Sequence, residues 1–388
     1  MWSLLLALLL LVELATPLYF LAMRAAARRS APRSIRVGPK ADVTIVVATY
    51  NEEATIERRL ADLRRHWRPG VNVLVVDSGS TDATRRKVRA AQAADPAFPL
   101  VLVEEPERRG KVAALRTALR LASGQLVCLT DADCLWGAGA LEAAVARFND
   151  PRVGAVTGVQ RLLPGEGVAH GAEAAYGRFY ETLRLGESAL DSTPVFRGEL
   201  AVYRRRLLER VGIGDEAPLA DDSELAAKVR RLGYRAVVEP AATFHEFAPP
   251  TLASRQRQKV RRGAGLVQVL ARNLPVALRP WRYRWFSLAC IGNLLVLVGG
   301  PVATALLALL VPALAWAWGG PLALLTLAGL GAGVWAWSRL RPASPATALV
   351  SLAQGHAALL AALPLAFRRT ATWAPIREVR DQWRRYAG

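Results

Sequence analysis

Cysteine is scarce in this 388-residue chain, with only Cys128, Cys134 and Cys290 present. The three have no metal-ligand spacing and do not form an even set, which excludes a disulfide framework and fits a reducing compartment. Lysine is nearly as rare. It occurs only at Lys40, Lys87, Lys111, Lys228 and Lys259, so arginine carries most of a net charge of +19, a bias that GC-rich coding produces. That charge comes with no basic helix in a recognised nucleic-acid motif and no RNA-binding aromatic signature, which argues for no nucleic-acid partner. No Gly-x-Gly-x-x-Gly or Walker sequence follows the first strand-like run, so a dinucleotide or ATP cradle is excluded. The charged amino-terminal region of a cleaved signal peptide is also missing, because no basic residue precedes the first apolar run.

Apolar residues, by contrast, are plentiful: 52% of the chain is hydrophobic and the mean hydropathy is +0.19. The excess sits at residues 2–22 and after residue 285, and the middle has ordinary globular composition. Residues 2–22 are long enough to span a bilayer, with Glu13 as the one internal charge. Arg24, Arg28, Arg29, Arg33, Arg36 and Lys40 follow with no acid among them, so the amino terminus is expected outside and the next domain in the cytosol, at the cell membrane. From Trp285 to Trp337 two crossings are expected. They break near Pro312 to Pro321, where Trp316, Trp318, Gly319 and Gly320 resemble an interfacial turn, and Arg339 and Arg341 mark the return. Residues 344–367 either cross or lie in the interface. The tail beyond them, with Arg368, Arg369, Arg377, Arg380, Arg384 and Arg385, favours the cytoplasm. Trp281, Tyr283 and Trp285 read as an interfacial contact of the domain with the bilayer.

Between the apolar segments strands and helices alternate. Val43–Thr49 is a continuous β-branched run, as expected of a strand buried on both faces. Val71–Val76, Leu100–Glu104 and Gln125–Thr130 read as further strands, and Lys111–Leu121 as a helix. Asn51 is expected to cap the helix after the first strand. The pattern predicts an α/β, mostly parallel sheet with helices on both faces, whose ligands bind beyond the carboxyl ends of the strands. Tyr50, Asn51, Asp77, Asp131 and Asp133 all fall there. Asp131 and Asp133, one residue apart at a strand end, repel unless a cation separates them, and Mg²⁺ or Mn²⁺ with phosphate oxygens fits. Asp221 and Asp222 open a helix running to Arg231. Their bland reading is compensation of the helix dipole, and their functional one is a general base.

The segments Thr44–Glu53 (TIVVATYNEE), Val75–Thr84 (VVDSGSTDAT), Lys111–Leu115 (KVAAL), Thr130–Cys134 (TDADC) and Ala220–Leu225 (ADDSEL) stand in this order over residues 43–263. Together they resemble the family 2 glycosyltransferases. The resemblance implies a GT-A, Rossmann-like fold and inverting transfer of a sugar from a nucleotide-diphosphate donor, expected to be a UDP-sugar. It implies that Tyr50 and Glu52 line the base and ribose pocket, that Asp77 hydrogen-bonds uracil, and that Lys111 lies near the donor phosphates. Asp131 and Asp133 match its metal and diphosphate pair, Asp222 beside Asp221 its base, and His245 a third metal ligand, with Glu246 as the alternative. Gly198 and Glu199 resemble its acceptor segment.

The chain also departs from that pattern. Ser78 stands where the family has a second acid, and Arg116 where it often has Asn. Processive synthases carry Gln-x-x-Arg-Trp, and here Gln256, Lys259 and Val260 occupy those places ahead of Arg261, Arg262 and Gly263. Losing the Trp platform argues for single transfer to a lipid or lipid-linked acceptor over a processive synthase or a polyprenyl-phosphate sugar synthase. A catalytically dead scaffold has no need of Asp77, Asp131, Asp133 and Asp222 together. The Arg255–Arg262 run can neutralise a leaving diphosphate or lie on anionic lipid. The expected division is an anchor at 1–23, a basic linker at 24–42, the GT-A domain at 43–250, a basic interfacial segment at 251–285, a membrane region at 286–367 and a basic tail at 368–388.

Overall fold

The computed structural model describes residues 2–29, 41–165, 167–214, 220–341, 345–367 and 377–386. Arg33, Arg36 and Lys40 of the linker, and Arg368 and Arg369 of the tail, lie outside the described residues. The strands are β1 (Val43–Thr49), β2 (Val71–Ser78), β3 (Leu100–Glu105), β4 (Leu126–Thr130), β5 (Leu135–Trp136), β6 (Val153–Leu162), β7 (Ala201–Arg204) and β8 (Arg235–Glu246). The helices are α1 (Trp2–Arg29), α2 (Ile56–Arg65), α3 (Thr84–Ala94), α4 (Lys111–Leu121), α5 (Ala140–Ala146), α6 (Gly167–Leu190), α7 (Arg205–Val211), α8 (Asp221–Arg231), α9 (Leu252–Arg272), α10 (Leu274–Ala277), α11 (Pro280–Tyr283), α12 (Trp285–Leu294), α13 (Gly300–Leu340), α14 (Pro345–Ala366) and α15 (Arg377–Arg385).

The eight strands form one sheet in the order β3-β2-β1-β4-β7-β6-β8-β5. The half from β3 to β4 is parallel, as the apolar runs predict. Beyond β4 the pattern changes: β7 runs antiparallel to β4 and β6, β8 is parallel to β6, and β5 closes antiparallel on β8. Alternate residues of β1 feed two cores. Val43, Ile45 and Val47 pack with Ile56, Leu60 and Leu63 of α2 on one face. Val46 packs on the other with Ala114, Leu115 and Ala118 of α4 and Leu225 of α8. Each buried Val or Leu contributes about 1.5–3 kcal/mol, which makes this sheet the rigid floor of the molecule.

Asn51 does not cap α2. Its backbone sits at φ 54, Thr55 is the N-cap, and the Asn51 side chain instead accepts from the Thr81 N–H at 2.8 Å. The short polar side chain of Asn tolerates this left-handed conformation, which bends the chain away from α2.

α1, α12–α13 and α14 hold the three spans long and apolar enough to cross a membrane among the described residues. α1 is also packed into the fold. Tyr19 donates to Glu187 of α6 at 2.6 Å, Phe20 stacks on Phe179 at 5.0 Å, and Gly186 lets the backbone of Met23 approach where any Cβ would collide. The expected break in the long apolar stretch falls at Gly320 (φ 60, ψ −153). In the interfacial trio, Trp281 and Trp285 are exposed but Tyr283 is buried among Met23, Leu270 and Phe286, so it belongs to the core. The basic run of α9 is likewise no surface helix on lipid. Arg255 and Lys259 are 4% and 5% exposed and pair with Glu173 of α6 at 3.0 and 3.2 Å.

Candidate active site

The carboxyl ends of β1, β2 and β4 converge with the start of α8 and the middle of α9. Lys111 opens α4 and bridges two of the predicted acids, donating to Asp131 at 2.9 Å and standing 3.9 Å from Asp221. Asp131 and Asp133 lie in the turn after β4. Burial, then Asp131 and Glu199, push the Asp133 carboxyl up to about 6. Asp222 follows Asp221 in the first turn of α8. Burial, then Asp221, raise it well above the usual carboxylate range, overriding the helix dipole that by itself favours the ionised form. Gly198 lies flat against Asp222, where a Cβ would come 2.6 Å from Oδ2. Three carboxylate oxygens are buried without a hydrogen-bond partner: Asp221 Oδ2, Asp222 Oδ1 and Glu199 Oε2. Buried polar atoms are normally satisfied, so such a cluster marks a place built for something else.

Glu199 and Glu246 share Arg262, at 3.2 and 3.3 Å. Against the penalty of burial, Arg262 and Arg197 hold Glu199 down to about 2, while burial and Glu199 push Glu246 up to about 8. Two carboxyls this close share one negative charge more readily than two. Arg261 has Asp133 and Asp131 among its charged neighbours. Of the predicted acceptor-side group, Gly198, Glu199, Arg261 and Arg262 come together here. Lys259 is drawn off to Glu173, and Gln256 is half-buried on α9.

Two of the expected site residues have their surroundings set by the protein itself. Asp77 is fully buried, and its oxygens accept from Thr49 Oγ1 (3.2 Å), from the N–H (2.9 Å) and hydroxyl of Ser80, and from Arg85 Nε. With four hydrogen bonds from the protein, it organises the β2–α3 turn. The charged neighbours of His245 are Asp62 and Arg161. Strand alternation puts the next residue, Glu246, on the side of Asp133.

Residues 39–265 match the family described as glycosyltransferase like family 2. The chain belongs to glycosyltransferase family 2. Among solved structures, this glycosyltransferase is similar to the mannosyltransferase PcManGT from Pyrobaculum calidifontis in complex with GDP-Man and Mn²⁺. The two are 34% identical with a TM-score of 0.78, over 94% of this chain and 99% of the other. It is also 25% identical over 256 residues to the poly-β-1,6-N-acetyl-D-glucosamine synthase of Staphylococcus aureus, and 24% over 233 residues to that of Staphylococcus epidermidis. These matches cover 66% and 60% of this chain, and 61% and 56% of the relatives' lengths.

Several residues that position the glycosyltransferase site escaped the motif reading. Arg59, fully buried on α2, donates to Asp62 (2.7 Å) and Thr130 (2.6 Å) and lies 4.5 Å from the Trp136 ring. Thr130 and Trp136 in turn both donate to the Glu199 carbonyl, at 2.6 and 3.0 Å. This network clamps the Asp131–Asp133 turn to the Gly198–Glu199 segment. Its sequence signal is an Arg and an Asp three apart on the apolar face of α2, among Ile56, Leu60 and Leu63. Arg108 was missed as well. Its guanidinium sits 4.1 Å over the ring of Tyr50, a cation–π contact that holds a planar surface at the mouth of the site.

Proposed function

We propose that this glycosyltransferase transfers a single sugar, with inversion, from a nucleoside-diphosphate donor to a lipid or lipid-linked acceptor at the cytoplasmic face of the cell membrane. The observation that carries the reading is the convergence of Asp131, Asp133, Asp221, Asp222 and Glu199 on Lys111, Arg261 and Arg262, directly beside membrane-spanning candidates. The aspartate pair at the end of β4 fits a hard divalent ion, Mg²⁺ or Mn²⁺, with Asp133 and Asp131 as the residues to hold it. Bound there, the ion supplies charge neutralisation at the donor diphosphate. Lys111, Arg261 and Arg262 share that task from the protein side. Tyr50 and Glu52 bind the nucleoside. Asp222 takes the proton of the acceptor hydroxyl, and its raised proton affinity suits a base, while Asp221 and Lys111 hold it in place.

For the nucleobase, Asp77 already accepts four hydrogen bonds from the protein, and the similar structure from Pyrobaculum calidifontis is a complex with GDP-Man. A GDP-sugar is therefore the first donor to test and a UDP-sugar the second. The staphylococcal relatives favour a second reading, a processive synthase. Against it stand Val260 in place of the stacking Trp and Lys259 committed to Glu173. α15 sits on the α/β domain, so residues 285–367 cross the bilayer an even number of times, which keeps the basic tail on the side of the positive flank of α1.

The test is incubation of membranes holding the full chain with labelled GDP-mannose, UDP-glucose and UDP-N-acetylglucosamine, with and without Mg²⁺ or Mn²⁺. Label in the organic phase supports the reading, and label in polymer supports the processive one. No incorporation from any donor refutes both.

A further inference from the structure

The family match ends at residue 265, yet the last described helix returns to the site. α15 carries one apolar stripe, Val379, Trp383 and Tyr386, spaced as one helix face. Trp383 is 1% exposed and clusters with Leu135, Leu163 and Phe247, its ring 4.9 Å from that of Phe247. Leu135 follows the Asp131–Asp133 turn and Phe247 follows Glu246, so the stripe is seated on the two segments that bear the site's carboxylates. Seating is reinforced by Arg58, which donates to the Trp383 carbonyl at 2.9 Å and lies 5.2 Å over the Tyr386 ring. With its only apolar face used in this way, α15 has none left for a lipid surface.

From this seat Arg380 reaches the loop after β1. Nη2 donates to the Tyr50 carbonyl at 3.1 Å and to Glu52 Oε1 at 2.7 Å, and Nε is buried with no partner. On its other side the loop is held by Ser80, Thr81 and Thr84, with Asn51 in the left-handed region at φ 54. The acid of Glu52 faces a site already crowded with carboxylates, and Arg380 is the cation that neutralises it.

We propose that Arg380 is a positioning residue for the donor: from the carboxy-terminal helix it holds the Tyr50–Glu52 loop in the shape that receives the nucleoside and cancels the Glu52 charge there. The inference rests on the reading above, in which Tyr50 and Glu52 bind the nucleoside.

The test compares Arg380→Gln, Arg380→Lys and Arg384→Ala in the full chain, measuring donor KM, kcat and melting temperature. Arg384, half-exposed and 3.6 Å from Glu53, serves as the control. Arg380→Gln is expected to raise donor KM about 10-fold or more, the loss for a hydrogen bond to a charged group, with kcat within about threefold. Arg380→Lys restores part of the loss, and Arg384→Ala leaves KM unchanged. A lower melting temperature at unchanged KM makes α15 a structural clasp only and overturns the proposal. A lower KM or higher kcat makes it an obstruction and overturns it too. If wild type transfers sugar while Arg380→Gln keeps its KM, this inference alone fails. If wild type transfers none from any donor, the functional reading fails and takes the inference with it.

Discussion

Asp222 shows at the residue scale how a side chain's surroundings define its chemistry. It is partly buried beside Asp221, with Oδ1 unpartnered and its backbone carbonyl accepting from the Tyr203 hydroxyl at 3.0 Å. Asp222→Asn keeps the shape and removes the basicity, so donor affinity by calorimetry should be unchanged while turnover falls about 10²–10⁴-fold. Asp221→Asn should be milder. If the two effects come out reversed, the roles are exchanged, and full turnover in both variants moves the base elsewhere. Asp133→Ala should abolish transfer without unfolding the protein, and wild-type activity that survives EDTA intact would sink the metal assignment. The strand-end position of these acids was visible in the sequence because apolar β-branched runs end abruptly in polar residues. The saturation of Asp77 was not visible, because its partner Arg85 looks like any surface arginine until α3 folds back over β2.

At the scale of elements, the turn after β4 is held by a buried pair reached from another layer. Arg59 and Asp62 are both 0% exposed, and Asp62 also accepts the Trp136 N–H at 2.9 Å. Asp62→Ala leaves the Arg59 guanidinium buried without its anion, a loss of about 3–5 kcal/mol. Chemical denaturation should register it, and a loss below about 1 kcal/mol would mean that water replaces the carboxylate. Gly198→Ala tests the contact of the 198–199 segment with α8. A Cβ at 2.6 Å from Asp222 Oδ2 must displace the base, so transfer should collapse while nucleotide binding persists. An active Gly198→Ala enzyme would show that the segment can shift. The parallel half of the sheet was legible from its continuous apolar strands. The antiparallel half was not, because β5 and β7 are two and four residues long, too short for any periodicity to register.

Considered whole, the molecule buries several carboxyls, and its stability should therefore depend on pH. Glu246 and Asp133 are pushed up to about 8 and 6, each chiefly by burial. A carboxyl raised in the folded state keeps its proton where the unfolded chain has lost it. Its stabilisation is complete below the ordinary carboxylate range and is lost as pH climbs through the folded value. The metal-free protein should therefore melt at falling temperatures from about pH 5 to about pH 8. Glu246→Gln should flatten the upper part of that slope, and a melting temperature that rises across the window contradicts the sign. Topology is tested at the same scale. Cysteines placed at Arg33 and at Arg384 should both resist an impermeant thiol reagent in intact cells, and labelling of only one breaks the even-crossing argument.

Sequence alone determined the apolar segments long enough to cross a membrane, the parallel strands and the order of the acidic motifs. Each of these is a local property: a run long enough to span hydrocarbon, a strand buried on both faces, a polar residue where such a strand stops. Tertiary structure decided which polar residues remain free. It closed Asp77 behind Arg85, turned Glu246 toward Asp133, drew Lys259 to Glu173, and brought Arg380 across the chain to Glu52. The physical reason is that folding, and not the local pattern, sets the surroundings of a buried charge. A buried charge must find a partner, and for Lys259 and Glu52 the partner that folding supplies lies 86 and 328 residues away, beyond the reach of any local pattern.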